Sequence, residues 1–261
     1  MFSSLKRALL GLLEIAYGLY AVVAFLVCGL LVFALVVLPL PIAARRQMAH
    51  FGAQAFFRLA GMPARVLDAG HLPTGPCVVV ANHASYLDGV VLKAVLPARF
   101  SFVIKKEVSR VPLAGFVLRR IGSEFVDRFN RHAGGMDARR LFKAAETGQA
   151  LAFFPEGTFL AQPGLGKFHT GAFAIAARTE LPIVPIAIRG TRRILPSGRF
   201  LPRWGRIHIQ VLPALAPIEG LNQSAAIAQM RDQSRARILA ALDEPDLSDT
   251  DGVAELQARR P

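Results

Sequence analysis

From Ile15 to Leu38 the chain runs for 24 residues without a charged side chain. Wound as a helix at ~1.5 Å per residue, this stretch is roughly 36 Å long, enough for the ~30 Å hydrocarbon core of a bilayer. A buried core helix of that length is improbable in one small domain, so the segment is expected to attach the chain to a membrane. Lys6 and Arg7 stand before it, and Arg45 and Arg46 follow. A cleaved leader is the competing reading. Its apolar part usually has only ~7–15 residues, and no small-residue cleavage pattern follows Pro39-Leu40-Pro41. Basic residues at both ends leave open whether the segment spans or enters and returns, and Gly29 in its middle fits a bend or a straight helix. Most of the positive charge lies in the body that follows. That body is therefore expected on the cytoplasmic side of an inner (cytoplasmic) membrane.

The next stretch, Arg45 to Leu59, is amphipathic at helical spacing. Met48, Phe51, Ala55 and Leu59 share a face, with Phe56 beside it, so the helix either lies in the membrane interface or packs on the rest of the chain. Residues 1–60 are thus expected to form membrane-anchoring and interfacial helices. After Gly61-Met62-Pro63 the pattern alternates. Apolar runs at 77–81, 100–104, 150–154 and 183–188, with a short one at 124–128, read as strands. Stretches at 86–96, 112–120, 136–147, 171–179 and 225–242 read as helices, with Gly148 as a stop signal. Gly205 to Val211 alternates like a half-buried edge strand. This order predicts an α/β fold over residues 61–242, a largely parallel sheet covered by helices. The acidic residues in 243–261 are expected to be disordered.

The net charge of +13 suits a partner carrying phosphate: a lipid surface, a phosphorylated substrate or nucleic acid. No helix-turn-helix, zinc or stacking-aromatic pattern supports nucleic acid. Cys28 and Cys77 lie in apolar runs without metal-ligand spacing, so neither a disulfide nor a structural metal is expected.

Polar residues recur at the ends of predicted strands. Asn82-His83-Ala84-Ser85-Tyr86-Leu87-Asp88 follows the run 77–81 and leads into a helix. His83 with Asp88 five residues on can form a base and its orienting carboxylate. Ser85, between them, reads equally well as a helix cap. The pair lacks an obvious side-chain nucleophile, so the hydroxyl to be activated would belong to a substrate. Phe154-Pro155-Glu156-Gly157-Thr158 ends another strand, in a tight turn expected to expose the Glu156 carboxylate and backbone N–H groups. Arg128, at the end of a third, suits a phosphate because its fork binds oxygens in pairs. Taken alone, each has a bland alternative as a cap, a turn or a surface charge. Their convergence on the carboxyl edge of one sheet points to a ligand crevice.

These blocks resemble those of the PlsC-type glycerolipid acyltransferases, whose best-known members act on 1-acylglycerol 3-phosphate (lysophosphatidate). Asn82 to Asp88 is similar to the family's Asn-His-x4-Asp box, Gly122 to Arg128 to its second block, Phe154 to Gly157 to its Phe-Pro-Glu-Gly block, and Ile183 to Ile188 to its Val-Pro-Ile block. Lys105-Lys106-Glu107 resembles the stretch between the first two. The resemblance covers roughly residues 60–215 and implies a glycerol-phosphate acyltransferase-like fold. It implies that His83 takes the proton of the acceptor hydroxyl, that Asp88 orients it, and that the hydroxyl attacks an acyl thioester directly. Arg128, Glu156, Gly157, Thr158 and Lys105 would bind substrate. Acyl-coenzyme A or acyl carrier protein (acyl-CoA or acyl-ACP) would be the donor, with Arg192-Arg193 and Arg199 as basic candidates to meet it. No metal and no redox cofactor is implied. The sequence departs from the family where Phe159-Leu160 follows Thr158 and where His169 stands in Phe168-His169-Thr170-Gly171. Both departures fall on the acceptor side, which keeps another lysolipid, such as a lyso-ornithine lipid, open as acceptor. A non-catalytic membrane-binding relative is the remaining alternative, and the intact His83/Asp88 pair speaks against it.

Overall fold

A computed structural model of the chain describes residues 2–127, 131–159, 161–216, 220 and 222–248. Its first helix, α1 (Phe2–Val37), turns through Leu38–Pro41 into α2 (Ile42–Leu59), which packs back against it. Gly18, Ala21, Ala24 and Cys28 form the buried stripe of α1. Small residues on α2 let the two backbones approach: a Cβ at Gly52 would meet Val32 Cγ2 at 2.2 Å. The buried face of α2 is Ala49, Ala53, Phe56 and Phe57. Phe51 and Leu59, on the face read from the sequence as apolar, point away from the domain and are exposed.

The remaining chain forms a seven-stranded sheet of order β1-β7-β6-β2-β5-β3-β4. The strands are β1 (Ala64–Leu67), β2 (Val78–Ala81), β3 (Ser101–Lys105), β4 (Glu124–Val126), β5 (Leu151–Phe153), β6 (Ile183–Arg189) and β7 (Ile207–Val211). Strands β6, β2, β5, β3 and β4 pair in parallel; β7 runs antiparallel to β6, and β1 runs parallel to β7. The sheet is therefore largely parallel, as its alternating pattern predicts. One difference concerns β7. Its alternation was read as that of an edge strand, but β1 covers it and takes the edge. Alternation reports that one face is half exposed and says nothing of which strands lie alongside.

Both faces of the central strands are covered, which is why β2 can be Val-Val-Val-Ala with every residue buried. Val79 and Ala81 face a core shared with α1, α2 and α3 (Leu87–Val95), including Phe56, Phe57, Val91 and Leu92. Val78 and Val80 face the opposite core, built with α5 (Arg131–Glu146), α6 (Gly171–Thr179) and α8 (Gln223–Ala241). Between these elements lie α4 (Ala114–Arg120) and the single turn α7 (Thr191–Ile194). Gly148 ends α5 as predicted, at φ +83°, a conformation that disfavours any residue with a Cβ.

The start of the acidic tail is ordered, contrary to expectation. Leu247 is buried, Asp246 bridges to Leu165, Glu244 pairs with Arg192 through both oxygens, and Asp246 pairs with Arg235. Acidic composition favours disorder only when no fixed cations wait for it, and here α7 and α8 supply two arginines. Residues 249–261 lie outside the described residues.

Candidate active site

The strand-to-helix turn after β2 is held by its own side chains. Asp88, fully buried in the first turn of α3, accepts the N–H groups of Ala84 (2.6 Å) and Ser85 (2.8 Å) on Oδ2. The same oxygen lies 2.9 Å from His83 Nδ1. An ionised carboxylate in this position requires the proton on Nδ1, leaving Nε2 with its lone pair. The His83 side chain is 19% exposed, so the ring is reachable from one side only. Asn82 closes the turn from below: its amide donates to Ile188 O (3.0 Å) and accepts from Ile188 N–H (2.7 Å), extending the sheet by one side-chain rung. Ser85 donates its hydroxyl to Leu195 O (2.7 Å) and accepts from Leu87 N–H (3.1 Å). That hydroxyl is committed to the fold, which excludes it as a ready nucleophile.

Glu156 stands at the end of β5, the neighbour of β2, but its carboxylate turns inward. Oε1 accepts the His83 N–H at 2.6 Å and Oε2 the Gly166 N–H at 2.9 Å. The turn was expected to expose this carboxylate and free N–H groups. Instead Gly157 N–H donates to Phe154 O at 3.0 Å, and the carboxylate satisfies two donors that would otherwise be buried unpaired. Burial pushes the Glu156 carboxyl up to about 7, against the two N–H bonds and the Arg192 charge, which favour ionisation. Gly157, at φ +80°, permits the turn, and Thr158 is exposed beside it.

Lys105 is exposed at the end of β3, paired in register with Val126 of β4. Lys106 reaches Asp127 at 3.3 Å. Arg128 lies outside the described residues, as does Leu160. Of the two basic stretches considered for the donor, Arg192 is engaged by Glu244 (3.0 Å from each nitrogen) and Arg199 by Glu14 at 2.9 Å.

The sequence reading missed the aromatic walls. Phe154 stacks on the His83 ring with centroids 4.3 Å apart and planes inclined by 19°. Phe159 meets the same ring edge-on at 4.7 Å, and its other side packs perpendicular to Tyr86 at 4.7 Å. Tyr86 is exposed, so the aromatic group lines the approach to His83 rather than the core. Phe154 was legible as the last residue of a strand one place before the turn. Gly166 carried no signal, because only the folded loop brings its N–H to Glu156.

A buried carboxylate fixing a histidine at the carboxyl edge of a largely parallel sheet is an arrangement chemically able to move a proton. Residues 64–189 match the Acyltransferase family profile. The chain is 31% identical over 196 residues to the lyso-ornithine lipid O-acyltransferase of Pseudomonas aeruginosa, covering 67% of this chain and 73% of that protein. It is 33% identical over 159 residues to a chloroplastic 1-acyl-sn-glycerol-3-phosphate acyltransferase of Brassica napus, covering 59% of this chain and 46% of that one. The chain thus spans under half the length of that plant relative. Its fold is shared with the crystal structure of the 1-acyl-sn-glycerophosphate acyltransferase PlsC from Thermotoga maritima, with a TM-score of 0.69 at 21% identity over 98% of this chain and 99% of that one. The chain belongs to the acyltransferase family.

Proposed function

We propose that the protein transfers an acyl group from a thioester to the free hydroxyl of a lysophospholipid, with 1-acylglycerol 3-phosphate as the acceptor and phosphatidate as product. The observation that carries this reading is the His83 Nδ1–Asp88 Oδ2 contact of 2.9 Å, with Asp88 fully buried and pinned by two backbone N–H groups. Such an arrangement fixes the imidazole in the tautomer whose Nε2 accepts a proton. As the acceptor's hydroxyl oxygen attacks the thioester carbonyl, its proton passes to Nε2. The tetrahedral intermediate then collapses, the carbon–sulfur bond breaks, and the thiolate leaves with the proton that His83 returns. Asp88 stabilises the imidazolium between these steps. Glu156 is a positioning residue in this scheme, holding the His83 backbone. Thr158, Gly157 and Lys105 are assigned to the acceptor side in this scheme, and Arg128, outside the described residues, has the guanidinium suited by its chemistry to the acceptor's phosphate. The mechanism calls on no metal or redox cofactor; acyl-CoA or acyl-ACP is the co-substrate. A helix from Leu5 to Val37 is long and apolar enough to cross a membrane, which supports membrane attachment. The charge of the domain favours the cytoplasmic face of an inner membrane.

A second acceptor, a lyso-ornithine lipid, is favoured by a specific observation. A relative of that printed activity is matched over 73% of its length, and the ring of Phe159 occupies the space beside His83. The deciding experiment offers the purified, detergent-solubilised protein a panel of lysolipids with labelled acyl-CoA and acyl-ACP. Phosphatidate from lysophosphatidate supports the first reading, and product from the ornithine lipid alone replaces its acceptor. His83→Ala is expected to lower kcat by roughly 10²–10⁴-fold, the usual contribution of a positioned base. Unchanged turnover by a folded variant would remove His83 from the mechanism.

A further inference from the structure

The loop between α7 and β7 carries features that acyl transfer does not use. Phe200 at its tip is 90% exposed, and Trp204 is 58% exposed although its indole N–H is fixed on Gly61 O at 2.9 Å. The loop is docked on α1. Arg199 pairs with Glu14 at 2.9 Å, Arg203 pairs with the same carboxylate, and Gly18 leaves only 2.8 Å between a hypothetical Cβ and Leu201 Cβ. Between loop and helix runs an open groove of about 510 Å³ lined by Leu13, Glu14, Tyr17, Arg193, Arg203 and Trp204. Arg193 and Arg206 are exposed and form no ion pair among the described residues.

We infer that this loop is a lipid-contact surface, with Phe200 and Trp204 entering the headgroup layer of a bilayer and Arg193 and Arg206 meeting its phosphates. The inference rests on the proposed membrane attachment of α1 and extends it to a second element. Three observations select a bilayer as the occupant. The loop is continuous with the outward face of α1, where Leu9, Leu12, Leu13, Ile15 and Leu19 are all exposed. Trp204, Tyr17 and Tyr20 gather at one end of the α1–α2 hairpin, with the tyrosine hydroxyls on Ala60 O and Leu59 O, both at 2.8 Å. Trp204 and Tyr20 are held with the ring body exposed and the polar tip satisfied, an arrangement that suits the membrane interface, while Tyr17 is half-buried against the core. Residues 193–206 carry four arginines, at 193, 199, 203 and 206, and no acidic residue; Glu14 of α1 offsets one of these charges through Arg199 and Arg203, and the remainder complements an anionic leaflet. Leu195 ties this surface to the site, because its carbonyl accepts the Ser85 hydroxyl two residues from His83. Lipid contact at the loop therefore sets the crevice at headgroup depth.

Trp204 is the only tryptophan in the chain, so its emission reports on this loop alone. The full-length protein is bound to vesicles of phosphatidylcholine and phosphatidylglycerol carrying bromines either high or deep on the acyl chains, and flotation measures binding in parallel. The expected result is a blue-shifted emission, quenched strongly by the shallow bromines and weakly by the deep ones. Arg193→Ala is expected to weaken vesicle binding by roughly fivefold at low salt and by little at high salt, and Phe200→Ser to weaken it at both. Protein that floats with the vesicles while Trp204 stays unquenched overturns the inference and leaves the attachment of α1 standing. Failure to float overturns both. Emission indifferent to vesicles but shifted by acyl carrier protein reassigns the surface to an acidic protein and overturns it as well.

Discussion

His83 and Asp88 could be read from five-residue spacing at a strand-to-helix junction, because both partners sit in one local turn. Glu156 could be placed at a neighbouring strand end, yet the direction of its carboxylate could not, since its partners are the amides of His83 and Gly166. Those partners are 73 and 10 residues away along the chain. The difference matters for what Glu156 does. Its carboxyl is raised from 4.5 to about 7 because burial outweighs the two N–H donors. A folded-state value above the unfolded one means that this group's contribution to stability is complete below about 4.5 and is lost as the pH rises through about 7. The full loss is on the order of 3 kcal/mol. Glu156→Gln removes the titration, so thermal unfolding of the detergent-solubilised variant is expected to fall less between pH 5 and 8 than that of the parent. The new amide also sets an N–H₂ against one of the two backbone donors, so kcat is expected to drop by about tenfold or more while KM stays close to the parent value. Parallel pH profiles of unfolding for the two proteins would assign the slope to another group.

Most helices and strands of the domain were legible because periodicity is a local property, whereas the four-residue β1 and α7 are too short to carry a period and the order of strands along the sheet is not a local property. The acidic segment after α8 shows what local reading leaves out. Glu244 accepts two bonds from Arg192 and one from Gly164 N–H at 2.9 Å, while Arg235 joins Asp246 to the carbonyls of Leu165 (2.8 Å) and Gly166 (2.9 Å). The segment 243–248 thus straps down the loop whose Gly166 N–H holds Glu156, and Glu156 in turn holds His83. Nothing in an acid-rich stretch identifies Arg192, 52 residues upstream of Glu244, as its partner. A chain ending at Leu242 is expected to show faster hydrogen exchange across 161–168 and at the turn 82–88, with reduced kcat, whereas a chain ending at Ser248 should match the full-length protein. Equal exchange in the two truncations would mean that the loop is held without the strap.

At the scale of the molecule, the sequence marked α1 as a membrane element and left open whether it crosses. The packing bears on that choice. At one end Glu14 is tied to Arg199 and Arg203, and Tyr17 and Tyr20 to the end of α2. At the other, Arg120 of α4 donates to Val36 O and Leu38 O, both at 2.8 Å. Glu14 and Val36 are roughly 33 Å apart along a helix at ~1.5 Å per residue, about the full thickness of a hydrocarbon core. If α1 crossed the bilayer, the arginines of one folded domain would have to stand at both surfaces, with the charged body of that domain dragged through the apolar layer between them. Lying in the plane of one leaflet, α1 keeps both sets of contacts and turns its exposed leucines to lipid, with Phe51 and Leu59 of α2 at the interface. Thiol labelling distinguishes the two geometries. Cys28 and Cys77 are both buried, so the variants Lys6→Cys and Pro39→Cys each add one accessible thiol at opposite ends of the helix. With the protein added to preformed vesicles, an impermeant maleimide supplied outside is expected to label both positions fully. A position that reacts only after the vesicles are opened would put that end on the far side and make α1 a true span.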